Sequence, residues 1–172
     1  MNEVMKNLLT RRSVRAFRSD QVQKEDLEQI LQAGLYAPSA MNRQTWQFTV
    51  VQGESSRQKL IEAMQKALNN PNYNFYQPPT LILVSNERTN SNAFADTGCT
   101  MENMFLAAHS LGLSTVWINQ LKDTCDMPEV RKVLDEFGVP ASHIVCATVA
   151  LGYAKDPLPA PRERTGVIKY VR

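Results

Sequence analysis

Apolar residues recur at helical spacing in some stretches of the chain and gather into short continuous runs in others. Residues 24–35 set Leu27, Ile30, Leu31 and Leu35 on one face, which predicts an amphipathic helix. Pro38 ends it and opens a polar loop. Residues 54–68 repeat the pattern through Leu60, Ile61, Met64 and Leu68. From about Thr97 to Leu111 the chain is apolar nearly all round, through Met101, Met104, Phe105, Leu106, Ala107, Ala108 and Leu111. A helix of that kind is buried centrally or lines a subunit interface. Asp96 stands where it could cap this helix and Gly112 where it would end it. Residues 2–9 suit a short helix, and Asp126 could cap another running through Phe137 with Pro128 in its first turn.

The apolar runs predict strands at 48–51, 81–84, 114–118 and 144–151, the last closed by Gly152. The proline- and asparagine-rich stretch 69–79 reads as a loop. The tail 167–171 (Val167-Ile168-Lys169-Tyr170-Val171) has strand character, follows a Pro-rich approach at 157–161, and has no evident local partner. An unpaired edge is a liability, so the tail is expected to pair with another subunit. Strands interleaved with helices make one α+β or α/β domain spanning residues 1–172.

A chain of 172 residues with 43% hydrophobic content is long enough to bury a sizeable core. Its net charge of +2 implies no polyelectrolyte partner. No apolar run approaches the roughly 20 residues of a membrane helix. Residues 1–9 lack the apolar region and cleavage site of a signal peptide. Cys99, Cys125 and Cys146 are odd in number and far apart, which fits a reducing, cytoplasmic compartment and small buried thiols, with Cys125 the candidate for exposure. No CxxC or HxxxH spacing suggests a metal site, and no GxGxxG or GxxxxGK[ST] loop suggests a dinucleotide or nucleotide fold. His109 reads as a packed or interface histidine and His143 as a loop histidine.

The candidate chemistry lies elsewhere. In Arg11-Arg12-Ser13-Val14-Arg15-Ala16-Phe17, residues 11, 13 and 15 alternate, so an extended segment would project two guanidiniums and a hydroxyl from one side. Arg162 and Arg164 repeat the alternation behind the stiff Pro-rich stretch. Planar forks of donors converging from separate segments suit a phosphate dianion, whereas isolated surface arginines would be merely solvated. The loop from Pro38 to Trp46 offers Ser39, Asn42 and Gln44 to the edge of a heterocycle, with Trp46 as an anchor for the following strand.

Residues 11–17 (RRSVRAF), 37–48 (APSAMNRQTWQF), 96–113 (DTGCTMENMFLAAHSLGL), 114–119 (STVWIN) and 149–164 (VALGYAKDPLPAPRER) follow one another in the order of the nitroreductase family, which the chain resembles over its whole length. The resemblance implies a three-layer α/β/α fold of the α+β class, with a mainly antiparallel central sheet and a C-terminal strand exchanged between the subunits of a homodimer. It implies FMN as cofactor and NADH or NADPH as donor, with ping-pong transfer to nitroaromatic, quinone or related acceptors. Arg11, Arg12 and Ser13 match the cofactor-binding segment, where the first and last meet the FMN phosphate and ribityl chain; Arg15 matches the basic residue at the pyrimidine edge. Pro38, Ser39, Ala40 and Asn42 match the loop that reaches the same flavin from the partner subunit. Ile118, Asn119 and Gln120 match the segment near N5, and Arg162 and Arg164 the late basic pair on the phosphate. An amide of the Asn69–Asn74 loop would face the pyrimidine ring. The flavin carries the chemistry, so no catalytic side chain is required.

Three departures bear on the substrate. Thr45 stands where many members have proline, Asn119-Gln120 where they often have glycines, and no long helical insertion precedes the central helix. Competing readings are a non-catalytic FMN store or sensor, a flavin-fragmenting or dehalogenating member of the same fold, and a small nucleic-acid-binding domain built on Arg11–Arg18. The basic residues lack the aromatic interleaving of a nucleic-acid groove, so neither nucleic acid nor membrane is expected as a partner.

Overall fold

The computed structural model describes residues 1–172. Four strands, β1 (Trp46–Val51), β2 (Thr80–Glu87), β3 (Ser114–Ile118) and β4 (His143–Gly152), form one sheet in the spatial order β1–β2–β4–β3, antiparallel throughout. Because strand side chains alternate, each buried strand feeds two cores. Leu81 and Leu83 enter one and Ile82 and Val84 the other. The first core lies under α3 (Glu54–Ala67), α5 (Gln120–Thr124) and α6 (Pro128–Glu136), with Leu60, Met64, Leu121 and Leu134 fully buried. The second lies under α2 (Lys24–Leu35) and α4 (Ala93–Ser110), through Ile30, Met101 and Met104. This is the expected α/β/α layering. A bulge in β4 between the residues facing Val84 and Ser85 leaves Cys146 unpaired, so Val145 faces the first core although Ala147 faces the second.

The residues predicted as α2 form that helix at the predicted bounds, and α3 ends one residue early. The start of α4 differs. It begins at Ala93, with Asn92 as N-cap, and Asp96 lies inside its first turn. The Asp96 carboxylate serves the tertiary structure instead, accepting from the Ala40 N–H at 3.0 Å and from Asn90 Nδ2 at 3.0 Å. Gly112, at φ +76°, does terminate α4, and Leu113 N–H bonds back to Ala108 O at 2.8 Å. Asp126 is likewise no cap. Met127 holds that position, and Asp126 pairs with Arg88.

Strand β2 runs on through Ser85, Asn86 and Glu87. Its polar end is buried because each group is answered: Ser85 Oγ bonds His143 Nδ1 at 3.0 Å, and Asn86 Oδ1 accepts from Thr45 Oγ1 at 2.6 Å. His143 is thus a buried strand residue, not a loop residue. The cysteines also differ from expectation, since Cys99 is exposed and Cys125 buried. Beyond Ala154 the chain joins no strand, and Val167, Ile168, Tyr170 and Val171 are each more than three-quarters exposed. No helix is long and apolar enough to cross a membrane.

Gly152 marks the tightest junction. A Cβ there would lie 2.6 and 2.8 Å from Pro79 Cδ and Cγ, and 3.2 Å from Phe17. The proline ring cannot swing aside, so Gly152→Ala is expected to destabilise the protein by about 1–3 kcal/mol. Urea unfolding would show a lower midpoint; a midpoint equal to wild type would mean the strand end relaxes freely.

Candidate functional site

The Arg11–Phe17 segment is extended because it pairs with the body of the fold. Val14 N–H donates to Thr115 O at 3.0 Å, Ser13 forms a parallel bridge to Thr115 and Phe17 an antiparallel one to Ala154. Val14 turns inward and is buried, so the alternate residues Arg11, Ser13 and Arg15 face the other way. The late pair returns to this spot. Arg11, Arg12, Ser13, Arg15, Arg162 and Arg164 line one cavity of about 210 Å³ with no carboxylate in its wall. Two of its polar atoms, Arg11 Nε and Arg12 Nε, are buried without a hydrogen-bond partner. Arg11 Nε lies 3.4 Å from Glu102 Oε1, close enough for an ion pair but without hydrogen-bond geometry, and its guanidinium sits 5.5 Å from the centre of the Phe105 ring. Arg12 Nη1 is spent on the carbonyls of Leu9 and Arg11. Five guanidiniums with so few protein acceptors make a ready phosphate site.

Arg15 is also in the wall of a second cavity, of about 540 Å³, together with Asn74 and Tyr76. Asn74 and Tyr76 in turn line a third, of about 210 Å³, that reaches Ile118 and Gln120. The three adjoin through these shared wall residues as a trough, with the arginine-rich cavity at one end. Asn74 Oδ1 accepts from Tyr76 N–H at 3.0 Å, which leaves its amide Nδ2 to donate into the trough. Phe75, Tyr76 and Gln77 are consecutively left-handed, at φ 52°, 65° and 52°. Such backbone costs energy and is held here by Phe75, which is buried in the core. Tyr76 is thereby set 5.8 Å from the Arg15 guanidinium. Asn119 follows Ile118 as N-cap residue of α5, and its Oδ1 accepts from Trp117 Nε1.

The loop residues lie elsewhere. Pro38, Ser39, Ala40 and Asn42 line none of these three cavities. Their loop joins β1 at Trp46, on the edge opposite β3, and in the sheet register Trp46 and Thr115 are about 14 Å apart across the strands and about 20 Å along them. The loop is nevertheless well built. Met41, Asn42 and Gln44 are left-handed, Ser39 Oγ accepts from Gln44 N–H at 3.2 Å, and Gln44 Nε2 donates to Asn42 Oδ1 at 2.7 Å. Trp46 is buried and stacks on Phe48. Of the residues lining the trough, Tyr76 and Arg57 carry no motif or spacing signal in the sequence; Lys155 lies within the 149–164 motif without a signal of its own, and Asn74 is one amide among several in the 69–74 loop.

His109 sits close by, bonded to Thr10 Oγ1 at 2.9 Å. Burial lowers its pKa from 6.5, and the Arg11 and Arg12 charges lower it further. Burial lowers that of His143 too, against an opposing pull from Glu87. In the unfolded chain both titrate near 6.5. Between that value and their lower folded pKa values the unfolded state binds more protons, so stability falls as pH drops below about 6.5. Replacing His143 with Gln should flatten that slope in denaturant midpoints measured between pH 7 and 5. An unaltered slope would remove His143 from the acid sensitivity and leave it to His109 or to carboxylates.

A sequence model described as "Nitroreductase family" matches residues 8–153. A protein of Archaeoglobus fulgidus with the provisional description NADH dehydrogenase/NAD(P)H nitroreductase is 32% identical over 160 residues, covering 91% of this chain and 88% of its own. The crystal structure of a nitroreductase with bound FMN from Bacteroides fragilis superposes with a TM-score of 0.93 at 41% identity, covering the whole of both chains. A second, from Desulfitobacterium hafniense and also with bound FMN, has a TM-score of 0.89 at 27% identity over the whole of both chains.

Proposed function

The chain belongs to the nitroreductase family, and on that premise we propose that its trough holds FMN, with the phosphate among Arg11, Arg12, Ser13, Arg162 and Arg164 and the ring system running past Arg15 and Asn74 towards Ile118 and Gln120, between which Asn119 lies. The protein is an FMN-dependent oxidoreductase that draws on NAD(P)H. The observation that carries the binding mode is the first cavity, where five arginines from two distant segments meet, two of their buried nitrogens making no hydrogen bond and no carboxylate lining the wall.

When bound, FMN supplies the redox chemistry, accepting reducing equivalents from NAD(P)H and passing them to a nitroaromatic, quinone or related acceptor in a ping-pong sequence. The chain's own groups bind and tune. Arg15 lays a fixed positive charge at the ring edge, where it favours the reduced, more negative ring. Arginine does not give up its proton, so this role is electrostatic. Asn74 Nδ2 is placed to donate to the ring edge, and the Ile118–Asn119 backbone to flank the reacting face. Tyr76, fixed by its left-handed neighbours, walls the trough between them.

The working form is a homodimer. The amphipathic helix α1 (Glu3–Thr10) is docked on α4 through Asn7 Nδ2 to Leu106 O and Thr10 to His109, and buries none of its residues. Its Val4, Met5, Leu8 and Leu9 are exposed, as is the apolar tail. A second copy covering these faces would also bring Pro38, Ser39, Ala40 and Asn42 to a flavin they cannot share with Ser13 in their own chain.

The visible spectrum of the purified protein tests this reading, followed by anaerobic NADH and then NADPH. A yellow protein that bleaches with either donor, and gives parallel double-reciprocal lines with a quinone acceptor, is expected. A colourless protein that takes up no added FMN overturns the binding mode. A yellow protein that bleaches with neither donor returns it to a flavin store or sensor.

A further inference from the structure

The middle cavity is the largest of the three and has a wall that the flavin assignment does not use. Arg57, Lys155 and Ser19 line it and neither of its neighbours. With Arg15 this puts three cations around about 540 Å³, again without an acidic side chain. Carboxylates are plentiful in the chain and pair with Arg11, Arg18, Lys24, Lys59, Arg88, Lys122 and Arg131. None pairs with Arg15, Arg57 or Lys155. The pairing pattern therefore leaves uncompensated charge at this hollow.

Arg57 is also held in place. Nε donates to Gln52 O at 3.2 Å and Nη1 to Pro78 O at 2.7 Å, and the half-buried guanidinium makes no further protein hydrogen bond, so Nη2 is left to a ligand. Two neutral carbonyls orient this charge without neutralising it, which is the condition under which an arginine binds an oxyanion well. Lys155 arrives from a different segment, fixed at its backbone by N–H to Ala16 O at 3.0 Å, with its ammonium unpaired. Its side chain is exposed and supplies a mobile charge at the mouth.

We infer that Arg57 and Lys155, with Ser19, form a second oxyanion subsite beside Arg15, which takes the carboxylate or phosphate of a redox partner while that partner's reacting group meets the flavin. This rests on the flavin reading above. The shared chemistry is a fixed oxyanion on the partner. It has two sources, the phosphates of the nicotinamide dinucleotide or a carboxylate on the acceptor.

Titration of the flavin-loaded protein, read by perturbation of the flavin absorbance, tests the acceptor source with 4-nitrobenzoate against neutral nitrobenzene. Steady-state KM tests the donor source with NADH against the phosphate-free 1-benzyl-1,4-dihydronicotinamide. Lys155→Gln is the primary variant because its side chain makes no structural bond, and Arg57→Gln is the second. Each is expected to weaken the anionic member of one pair at least fivefold, leave the neutral member unchanged, and reduce the salt dependence of binding. An effect confined to nitrobenzoate assigns the subsite to the acceptor, and one confined to NADH assigns it to the donor. Equal effects on charged and neutral members, or no effect in either variant, would overturn the inference. So would loss of flavin from Lys155→Gln, which would place that cation on the cofactor. A wild-type protein that binds no FMN fails the flavin reading itself and takes this inference with it, whereas a yellow protein without discrimination fails this inference alone.

Discussion

Arg11→Ala and Arg164→Ala should each strip the protein of much of its FMN while leaving riboflavin binding nearly unchanged. Both arginines wall the cavity assigned to the phosphate, and riboflavin lacks that group. A charged hydrogen bond contributes about 1.5–3 kcal/mol, so each loss should weaken FMN roughly 10- to 150-fold. The two are not equivalent. Arg11 faces Glu102 at 3.4 Å and stacks on Phe105, whereas Arg164 lies on the exposed tail segment. Removing Arg11 leaves the Glu102 carboxylate uncompensated beside the phosphate, so Arg11→Ala should be the more severe. The double variant Arg11→Ala/Glu102→Gln should recover part of the affinity. Flavin-to-protein ratios after desalting, and fluorescence titration with FMN and riboflavin, give the answer. Unchanged FMN content in both single variants, or equal losses of FMN and riboflavin, would remove the phosphate from this cavity.

Deleting Val167–Arg172 should shift the protein from dimer towards monomer. The deletion removes Val167, Ile168, Tyr170 and Val171, all largely exposed in the single chain. Burying such side chains is worth about 1.5 kcal/mol or more each. Twofold symmetry counts every one twice, so the effect on a dimer would be several orders of magnitude in its dissociation constant. Sedimentation velocity across a concentration series measures it. A dimer of unaltered stability would assign the interface to the apolar face of α1 alone.

Much of this architecture was legible because its signals are local. Helix α2 follows from the spacing of Leu27, Ile30 and Leu31, and the face shown by Arg11, Ser13 and Arg15 follows from period-two alternation about the buried Val14. The misreadings occur where a polar group has a distant partner. Asp96 looked like a cap, but the Ala40 N–H and Asn90 compete for its carboxylate. Asp126 looked like one too and is drawn to Arg88. The apolar run at 81–84 marks only the middle of β2, whose polar end at Ser85 and Asn86 is answered from elsewhere by His143 and Thr45. Helix α5 is a five-residue turn with no room for a period. At the site, clustered arginines were visible as a cluster, whereas Arg57, Tyr76 and Lys155 are single residues that only the folded chain brings together.

The route of the last twenty residues has a thermodynamic consequence. Arg162 and Arg164 are carried on a segment whose last sheet contact is the Ala154 bridge, and the apolar tail lies just beyond them. If the far end is anchored by the other copy, the arginines are held in place from both sides only in the assembled protein. Ligand occupancy and assembly are then linked equilibria, and the linkage is reciprocal. Adding FMN should lower the concentration at which subunits associate, and dilution below that concentration should release FMN in step with dissociation. Inorganic phosphate, competing for the same guanidiniums, would move both equilibria together.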